Sequence, residues 1–376
     1  MGGRGYGPGR VLVIAEIGTG HGGDPAKAAE LCAAAAEAGA DCAKFQCVIA
    51  SEIIHPKTGV VPLPGGDIAL FERFRELELD EGFYAAAKEA AEARGLVFLC
   101  TPFGLESARL LRRLGVAAMK VASPELNHLG LLDELASYGL PTILSSGVST
   151  LADIETALAR LAPPSGEGPA GGVAPGLALL HCVTAYPAPA EDYNLSLLGA
   201  YASLFGVPVG VSDHSLDPVL VPALSVAAGG VIVEKHICLS REDPGLDDPI
   251  ALPPADFARM TASVRAAQTS PAADTVEGLS SAYGRLRVER VMGDGVKRLA
   301  PSERANYGRT NRSIHALRDI AEGEAFGPGN LALLRTEKVL KVGLAPALLD
   351  AISGRRARRA IPSGEGIEWE DVGDLG

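Results

Sequence analysis

Two histidines in the middle of the chain sit where metal or acid–base chemistry could be done. His214 closes the triplet Ser212-Asp213-His214, and His236 closes Glu234-Lys235-His236. Each triplet ends a short apolar run, 208–211 and 231–233. The two runs bracket an apolar, alanine-rich stretch, 216–228, that is long enough for a crossover helix. This reads as a βαβ unit in which two parallel neighbours each carry a histidine at the carboxyl end. Side chains alternate along a strand, so Ser212 shares a face with His214, and Glu234 with His236. Two imidazoles on adjacent strand ends, with carboxylates near, make half of an octahedral metal site. Two histidines satisfied separately would show the same spacing.

The same spacing of two recurs in Lys44 and Gln46. Other apolar runs also close on polar groups: Glu16, Thr101, Lys120 followed by Ser123 and Glu125, Ser145, and Tyr186. A buried lysine or carboxylate costs several kcal/mol unless it is paired or bound to something. Two lysines and several hydroxyls converging suit a phosphate or a carboxylate, and two histidines suit a metal. Together they describe a site for a phosphorylated carboxylate acting with a divalent ion.

These groups need a frame. Eight strand runs are expected at 11–14, 41–47, 96–100, 118–122, 141–145, 177–183, 208–211 and 231–233. Helical stretches lie between them at 26–38, 70–77, 81–93, 106–114, 131–138, 151–161 and 216–228, and a closing helix at 254–267. Asp24 and Pro25 provide a cap and a first-turn proline for the first of these. So regular an alternation favours α/β architecture as a closed (β/α)8 TIM barrel over 10–270. Its chemistry then gathers at the carboxyl ends of the strands. No G-x-G-x-x-G opens the first helix, which removes the main reason for an open dinucleotide-type sheet. The stretch 48–66, with three prolines and paired glycines, is too long for an ordinary connection and reads as a lid or arm. The stretch 163–176 reads as a surface insertion, 271–309 as a linker, and 310–376 as a small, mostly β domain.

The net charge of −12 argues against nucleic acid or an anionic membrane as partner. No apolar stretch reaches the roughly 20 residues of a membrane span. The glycine-rich start, 1–9, reads as a flexible N-terminus without a signal-peptide core. Six cysteines form no C-x-x-C pair and sit in or beside apolar runs, as expected of free thiols in a reducing, cytoplasmic setting.

With these residues in view, the chain resembles the sialic acid (N-acetylneuraminate) synthase family. The resemblance runs in order through Ala15-Glu16-Ile17-Gly18, 37–46, Thr101-Pro102-Phe103, 120–125, 143–150, 179–187, 210–215, Glu234-Lys235-His236 and Pro244-Gly245-Leu246-Asp247. Arg312-Ser313-Ile314, Arg318-Asp319-Ile320 and Gly323-Glu324 resemble the family's C-terminal antifreeze-like (SAF) domain. The resemblance implies condensation of phosphoenolpyruvate with an N-acetylmannosamine-like aldehyde sugar. It implies that His214 and His236 bind a divalent metal, most often Mn2+, with Mg2+ or Co2+ as alternatives. Lys44, Gln46, Thr101, Lys120, Ser123, Ser145 and Ser212 would surround phosphoenolpyruvate. Tyr186, Asp247 and Arg335 would face the sugar, with Glu16 and Glu125 moving protons at the reacting centre. It also implies a homodimer with swapped C-terminal domains, each bringing Arg335 to the partner's barrel.

The departures gather on the sugar side. Gly20-His21-Gly22-Gly23 stands for the family's Asn-His-Asn-Gly, Pro124 for the glycine of Ser-Gly-Glu, and Asp248 for a histidine. Thr184 replaces an amide or serine, and the arm at 53–66 matches no sugar loop. An acceptor other than N-acetylmannosamine, such as a modified hexosamine, is therefore expected. Another metal-dependent phosphoenolpyruvate–sugar synthase and a silent sugar-binding scaffold are the alternative readings.

Overall fold

The computed structural model describes residues 6–7, 9–63, 66–162 and 176–375. Residues 163–175 of the expected surface insertion at 163–176, and most of the flexible start, lie outside them. Ten strands span the first part of the chain: β1 Leu12–Gly18, β2 Cys42–Cys47, β3 Val60–Leu63, β4 Gly66–Ala69, β5 Val97–Pro102, β6 Met119–Val121, β7 Thr142–Ser145, β8 Leu177–Cys182, β9 Val209–Asp213 and β10 Ile232–His236. Eight of these close a parallel barrel in the order β1-β10-β9-β8-β7-β6-β5-β2, the expected (β/α)8 fold.

Parity along the strands explains the barrel's interior. The lower layers are filled by Leu12, Ile14, Cys42, Val97, Leu99, Ala118, Ile143, Ala178, Leu180 and Ile232, which form one apolar cluster. Two residues further along the same strands, the inward positions become Glu16, Lys44, Thr101, Lys120, Ser145, Ser212 and Glu234. The apolar plug thus supports a polar floor. Gly210 belongs to the plug: a Cβ there would collide with the Ile232 carbonyl.

The helix Pro25–Glu37 begins as expected, with the Asp24 carboxylate accepting from Ala26 N. The crossover helix is shorter than expected, Leu220–Ala227, because Asp217 Oδ1 accepts from Val219 N and Leu220 N and so fixes its start. The expected lid contains a short helix Ala50–Ile53 and the antiparallel pair β3–β4. Val48, Ile53, Ile54, Val61, Leu70 and Leu77 pack it onto Phe103. Glu52 anchors it by accepting from Glu106 N (2.6 Å), Ser107 N (3.1 Å) and Ser107 Oγ (2.7 Å).

The expected linker is a correction. Residues 271–309 include the helices Ala272–Tyr283 and Arg285–Met292, and their Leu279, Val288 and Val291 join the barrel's outer core. Only the stretch after Met292 crosses as extended and turning chain. The final domain pairs β11 Arg312–Ala316 with β12 Leu331–Arg335, and β13 Arg355–Ala357 with β14 Val372–Leu375, all antiparallel. Ile314, Ile320, Phe326, Ile352, Ile361 and Ile367 form its core.

Candidate active site

A cavity of about 400 Å³ opens at the carboxyl ends of the barrel strands. Its lining includes Glu16, Lys44, Gln46, Thr101, Lys120, Ser123, Ser145, Tyr186, Ser212, His214, His236, Asp247 and Arg335, which is every sequence-expected site residue except Glu125.

The floor is a closed set of charges. Lys44 Nζ lies 3.0 Å from Glu16 Oε2 and 3.2 Å from Glu234 Oε1, and Lys120 Nζ lies 3.9 Å from Glu234 Oε1. Ser212 Oγ donates to Glu234 (3.0 Å), Gln46 Nε2 to Glu16 (2.8 Å), and Lys120 Nζ to Ser145 Oγ (2.7 Å). Burial works against the Lys44 charge, but Glu16 and Glu234 outweigh it and hold the ammonium above its ordinary range. Around Lys120 burial wins, helped by the like charge of Lys44, and its pKa falls to about 8 despite Glu234. Burial would raise the Glu234 carboxyl, yet Lys120 and Lys44 hold it down to about 2. The Thr101 and Thr184 hydroxyls on the same walls are buried without a hydrogen-bond partner. Unmatched hydroxyls beside two lysines are what an anionic ligand would satisfy.

His214 and His236 stand side by side with ring centroids 5.7 Å apart. His214 Nδ1 lies 2.9 Å from the Val183 carbonyl, which fixes the ring and leaves Nε2 free for ligation. Burial lowers the His236 pKa, favouring the neutral ring a metal needs. Around His214, Cys182 and the Val183 carbonyl outweigh burial and bring the pKa to about 9. Tyr186 stacks on His214 with ring centroids 4.3 Å apart, and Asp247 Oδ2 lies 3.9 Å from His236 Nδ1. Among the described residues no group of three His, Cys, Asp or Glu side chains is gathered for a metal. The donor set therefore fits a hard or borderline cation with two histidine ligands, the rest of its shell coming from oxygen atoms of substrate or water.

Glu125 stands apart from the other expected site residues. It was expected to move protons, but it is fully buried on the turn Ser123–Glu125 and does not line the cavity. Its Oε1 accepts from Arg312 Nη2 (2.9 Å), Arg335 Nε (3.0 Å) and Arg335 Nη2 (2.7 Å), so it latches the final domain to the barrel. Arg335 does reach the cavity, lying over the Phe103 ring at 5.3 Å. It is carried there by β12 of the final domain.

Two residues of the site went unassigned in sequence. Glu234 was legible, because it lies two before His236 and therefore shares its face. Arg312 had no chemical signal. It is buried and donates to the carbonyls of Glu52, Ile53, Leu333 and Phe103 as well as to Glu125.

Comparison with known proteins bears directly on this arrangement. A model of the NeuB family matches residues 31–274, and a model of the SAF domain matches residues 311–373. The N,N'-diacetyllegionaminic acid synthase of Legionella pneumophila is 31% identical over 365 residues, 96% of this chain and 94% of that protein. The pseudaminic acid synthase of Campylobacter jejuni is 28% identical over 367 residues, 96% of each. The crystal structure of the spore coat polysaccharide biosynthesis protein from Bacillus subtilis superposes with a TM-score of 0.78 at 31% identity, covering 96% of this chain and 95% of that one.

Proposed function

The chain belongs to the NeuB family, as a transferase-type nonulosonic acid synthase with a SAF domain, and from that premise we propose the reaction it runs. Phosphoenolpyruvate condenses with an N-acylated aldehyde sugar to give a nine-carbon α-keto acid and inorganic phosphate. The observation that carries this reading is the buried lysine pair: Lys44 and Lys120 meet at the cavity floor beside the unpartnered Thr101 hydroxyl. Lys44, Gln46, Thr101, Lys120, Ser123, Ser145 and Ser212 bind the phosphate and carboxylate of phosphoenolpyruvate. The two lysines exchange part of their hold on Glu16 and Glu234 for the ligand.

A divalent cation, with Mn2+ the first choice, is held by His214 and His236, and when bound it supplies Lewis-acid polarisation of the aldehyde oxygen. Tyr186 and Asp247 flank the sugar above that point. The methylene carbon of phosphoenolpyruvate forms the new bond to the aldehyde carbon, whose oxygen takes up a proton. Water adds to the cationic carbon left behind and loses a proton. The phosphate then departs with its bridging oxygen as the ketone forms. Glu16, one of the carboxylates that line the cavity, is placed to take the water's proton. Phosphate release from phosphoenolpyruvate, measured with Mn2+ against a panel of aldehyde sugars, tests the proposal. Release with no sugar in the panel overturns it in favour of a binding scaffold.

The acceptor is a modified hexosamine rather than N-acetylmannosamine itself. Ile53 and Val61 of the arm, Leu70 and Phe74 of the helix Leu70–Glu76, and Leu246 give the cavity an apolar wall. A 6-deoxy diacetamido sugar buries an extra methyl and an extra acetyl methyl there. At about 0.8 kcal/mol per buried carbon, its kcat/KM should exceed that of N-acetylmannosamine by about tenfold or more. Equal values, or a preference for N-acetylmannosamine, rule this acceptor out.

The working assembly is a homodimer with exchanged final domains. Exchange preserves the contacts that Arg335 and Arg312 make with Glu125 and only changes which chain supplies them. Mixing Arg335→Ala and His214→Ala chains should then regenerate one intact site per hybrid dimer. Hybrids without restored activity mean that each chain completes its own site. Among the described residues no helix is long and apolar enough to cross a membrane. The six cysteines are free and buried, which supports a reducing compartment such as the cytoplasm.

A further inference from the structure

The stretch between the helix Arg285–Met292 and β11 carries three side chains whose contacts share a pattern. Glu303 is buried, at 1% exposure, and makes no ion pair among the described residues. Its Oε2 accepts from two backbone donors on different barrel loops, Val148 N (3.1 Å) and Thr184 N (2.9 Å), while Oε1 accepts from Ala300 N (3.2 Å). The carbonyls of the same two residues are taken by its neighbours on the strap: Asn311 Nδ2 donates to Val148 O (3.0 Å) and Asn306 Nδ2 to Thr184 O (3.3 Å). Val148 and Thr184 are thus each gripped at both backbone polar groups by side chains of one connecting segment.

Thr184 lines the cavity, and Val148 stands just beyond Ser145, which also lines it. Val148 follows β7, three residues after Ser145, whose hydroxyl takes the Lys120 ammonium. Its φ of +42° is costly for a β-branched residue and persists only where surroundings over-determine it. Gly147 between them donates to Ser123 Oγ (2.9 Å), and a Cβ there would collide with Thr184 Oγ1. Thr184 follows β8 and lines the cavity. The two loops therefore pack against each other through Gly147 while the strap holds each from behind.

We propose that Glu303 is a positioning residue for the reaction. Its carboxylate, supported by Asn306 and Asn311, fixes the loops after β7 and β8 and so sets where Ser123, Ser145 and Thr184 meet the phosphorylated substrate. It acts only as a hydrogen-bond acceptor, through the backbone, and touches no substrate. Because the segment that bears it also leads into the final domain, docking of that domain and order in the substrate-binding loops are one event.

The test uses the full chain with Glu303→Ala, Glu303→Gln, Asn306→Ala and Asn311→Ala. A glutamine oxygen can still accept from both Val148 N and Thr184 N, so it separates the acceptor role from charge. Amide hydrogen exchange, read without any substrate, should speed up in Glu303→Ala by about tenfold to a hundredfold over residues 145–149 and 183–186, the loss of one or two charge-assisted hydrogen bonds. Exchange in β1 and β10 should stay at wild-type rates. Glu303→Gln should recover most of the protection, and each asparagine variant should loosen only the loop it holds. Where wild type turns over, Glu303→Ala should raise the KM for phosphoenolpyruvate about tenfold or more, with glutamine largely restoring it. Wild-type exchange in Glu303→Ala overturns the proposal, and so does a glutamine variant as impaired as alanine. A wild type inactive on every sugar would count against the reaction and leave the exchange result to decide the strap.

Discussion

Alanine in place of His214 or His236 is expected to lower turnover by about a thousandfold or more while phosphoenolpyruvate still binds. The lysines and hydroxyls proposed to hold the phosphate stand on β2, β5, β6, β7 and β9, and among the described residues none of them hydrogen-bonds to an imidazole. Removing one ligand of a two-histidine site takes away the polarisation of the aldehyde, worth several kcal/mol of barrier at about 1.4 kcal/mol per factor of ten. Both rings lie at the top of the barrel, above the apolar plug, so the cost to folding should be small beside the cost to activity. His214→Ala carries the larger structural loss, because the Val183 carbonyl and the Tyr186 ring lose their partner together. Three measurements on the same preparations check this: phosphate release, calorimetric titration with phosphoenolpyruvate, and metal content. Chelation of the wild type should reproduce the histidine variants, with activity returning on addition of Mn2+. A His236→Ala chain that keeps near-normal turnover after chelation would remove the metal from the mechanism.

The barrel was legible because two independent signals agreed. Eight apolar runs were separated by helical stretches in every gap but that between 177–183 and 208–211, where the structure adds the helix Leu197–Phe205, and polar pairs at spacing two, Lys44 with Gln46 and Ser212 with His214, had to share the inward face. The plug and floor of the barrel are that parity made three-dimensional. The same rule placed Glu234 inside, since His236 was already assigned there. What the sequence hid was contact between distant segments. The helices Ala272–Tyr283 and Arg285–Met292 are short and largely exposed, and their start after Pro271 and break at Gly284 were weak signals against a polar background. The partners of Glu125 were hidden for a related reason. Its place after a strand says that it is near the site, and only the final domain's position shows that two arginines have claimed its oxygen. Arg312 entered only through the Arg312-Ser313-Ile314 resemblance, although it is among the largest fully buried side chains of the described residues.

Glu125→Gln separates the latch from a proton shuttle, and the latch predicts a loss in stability and sugar binding with kcat little changed. A carboxylate that moves a proton in the transition state contributes about a hundredfold to ten-thousandfold, lost when an amide replaces it while the fold stands. A carboxylate shared by two arginines behaves otherwise. Arg312 is buried, and although burial pulls its pKa down to about 10, it stays charged at neutral pH. With an amide opposite, Arg312 and Arg335 become two like charges facing one weak acceptor. Breaking a buried pair in this way costs about 3–5 kcal/mol. That loss falls on the contact between barrel and final domain, so Arg335 swings from the cavity and the arm held by Arg312 through the Glu52 and Ile53 carbonyls loosens with it. The wall proposed to face the sugar includes Ile53 and Val61 of that arm, whereas the lysines belong to the barrel strands. The KM for the sugar should therefore rise about tenfold or more, with the affinity for phosphoenolpyruvate within about threefold of wild type. Arg312→Met should give the same pattern. The double variant Glu125→Leu with Arg312→Met should be more stable than the sum of the single losses predicts, because neither buried charge of that pair is then left alone. Thermal unfolding of the wild type, Glu125→Gln, Glu125→Leu, Arg312→Met and the double variant, beside kcat and KM for each substrate, distinguishes the roles. A Glu125→Gln chain with wild-type stability and a kcat reduced a hundredfold would return Glu125 to the chemistry.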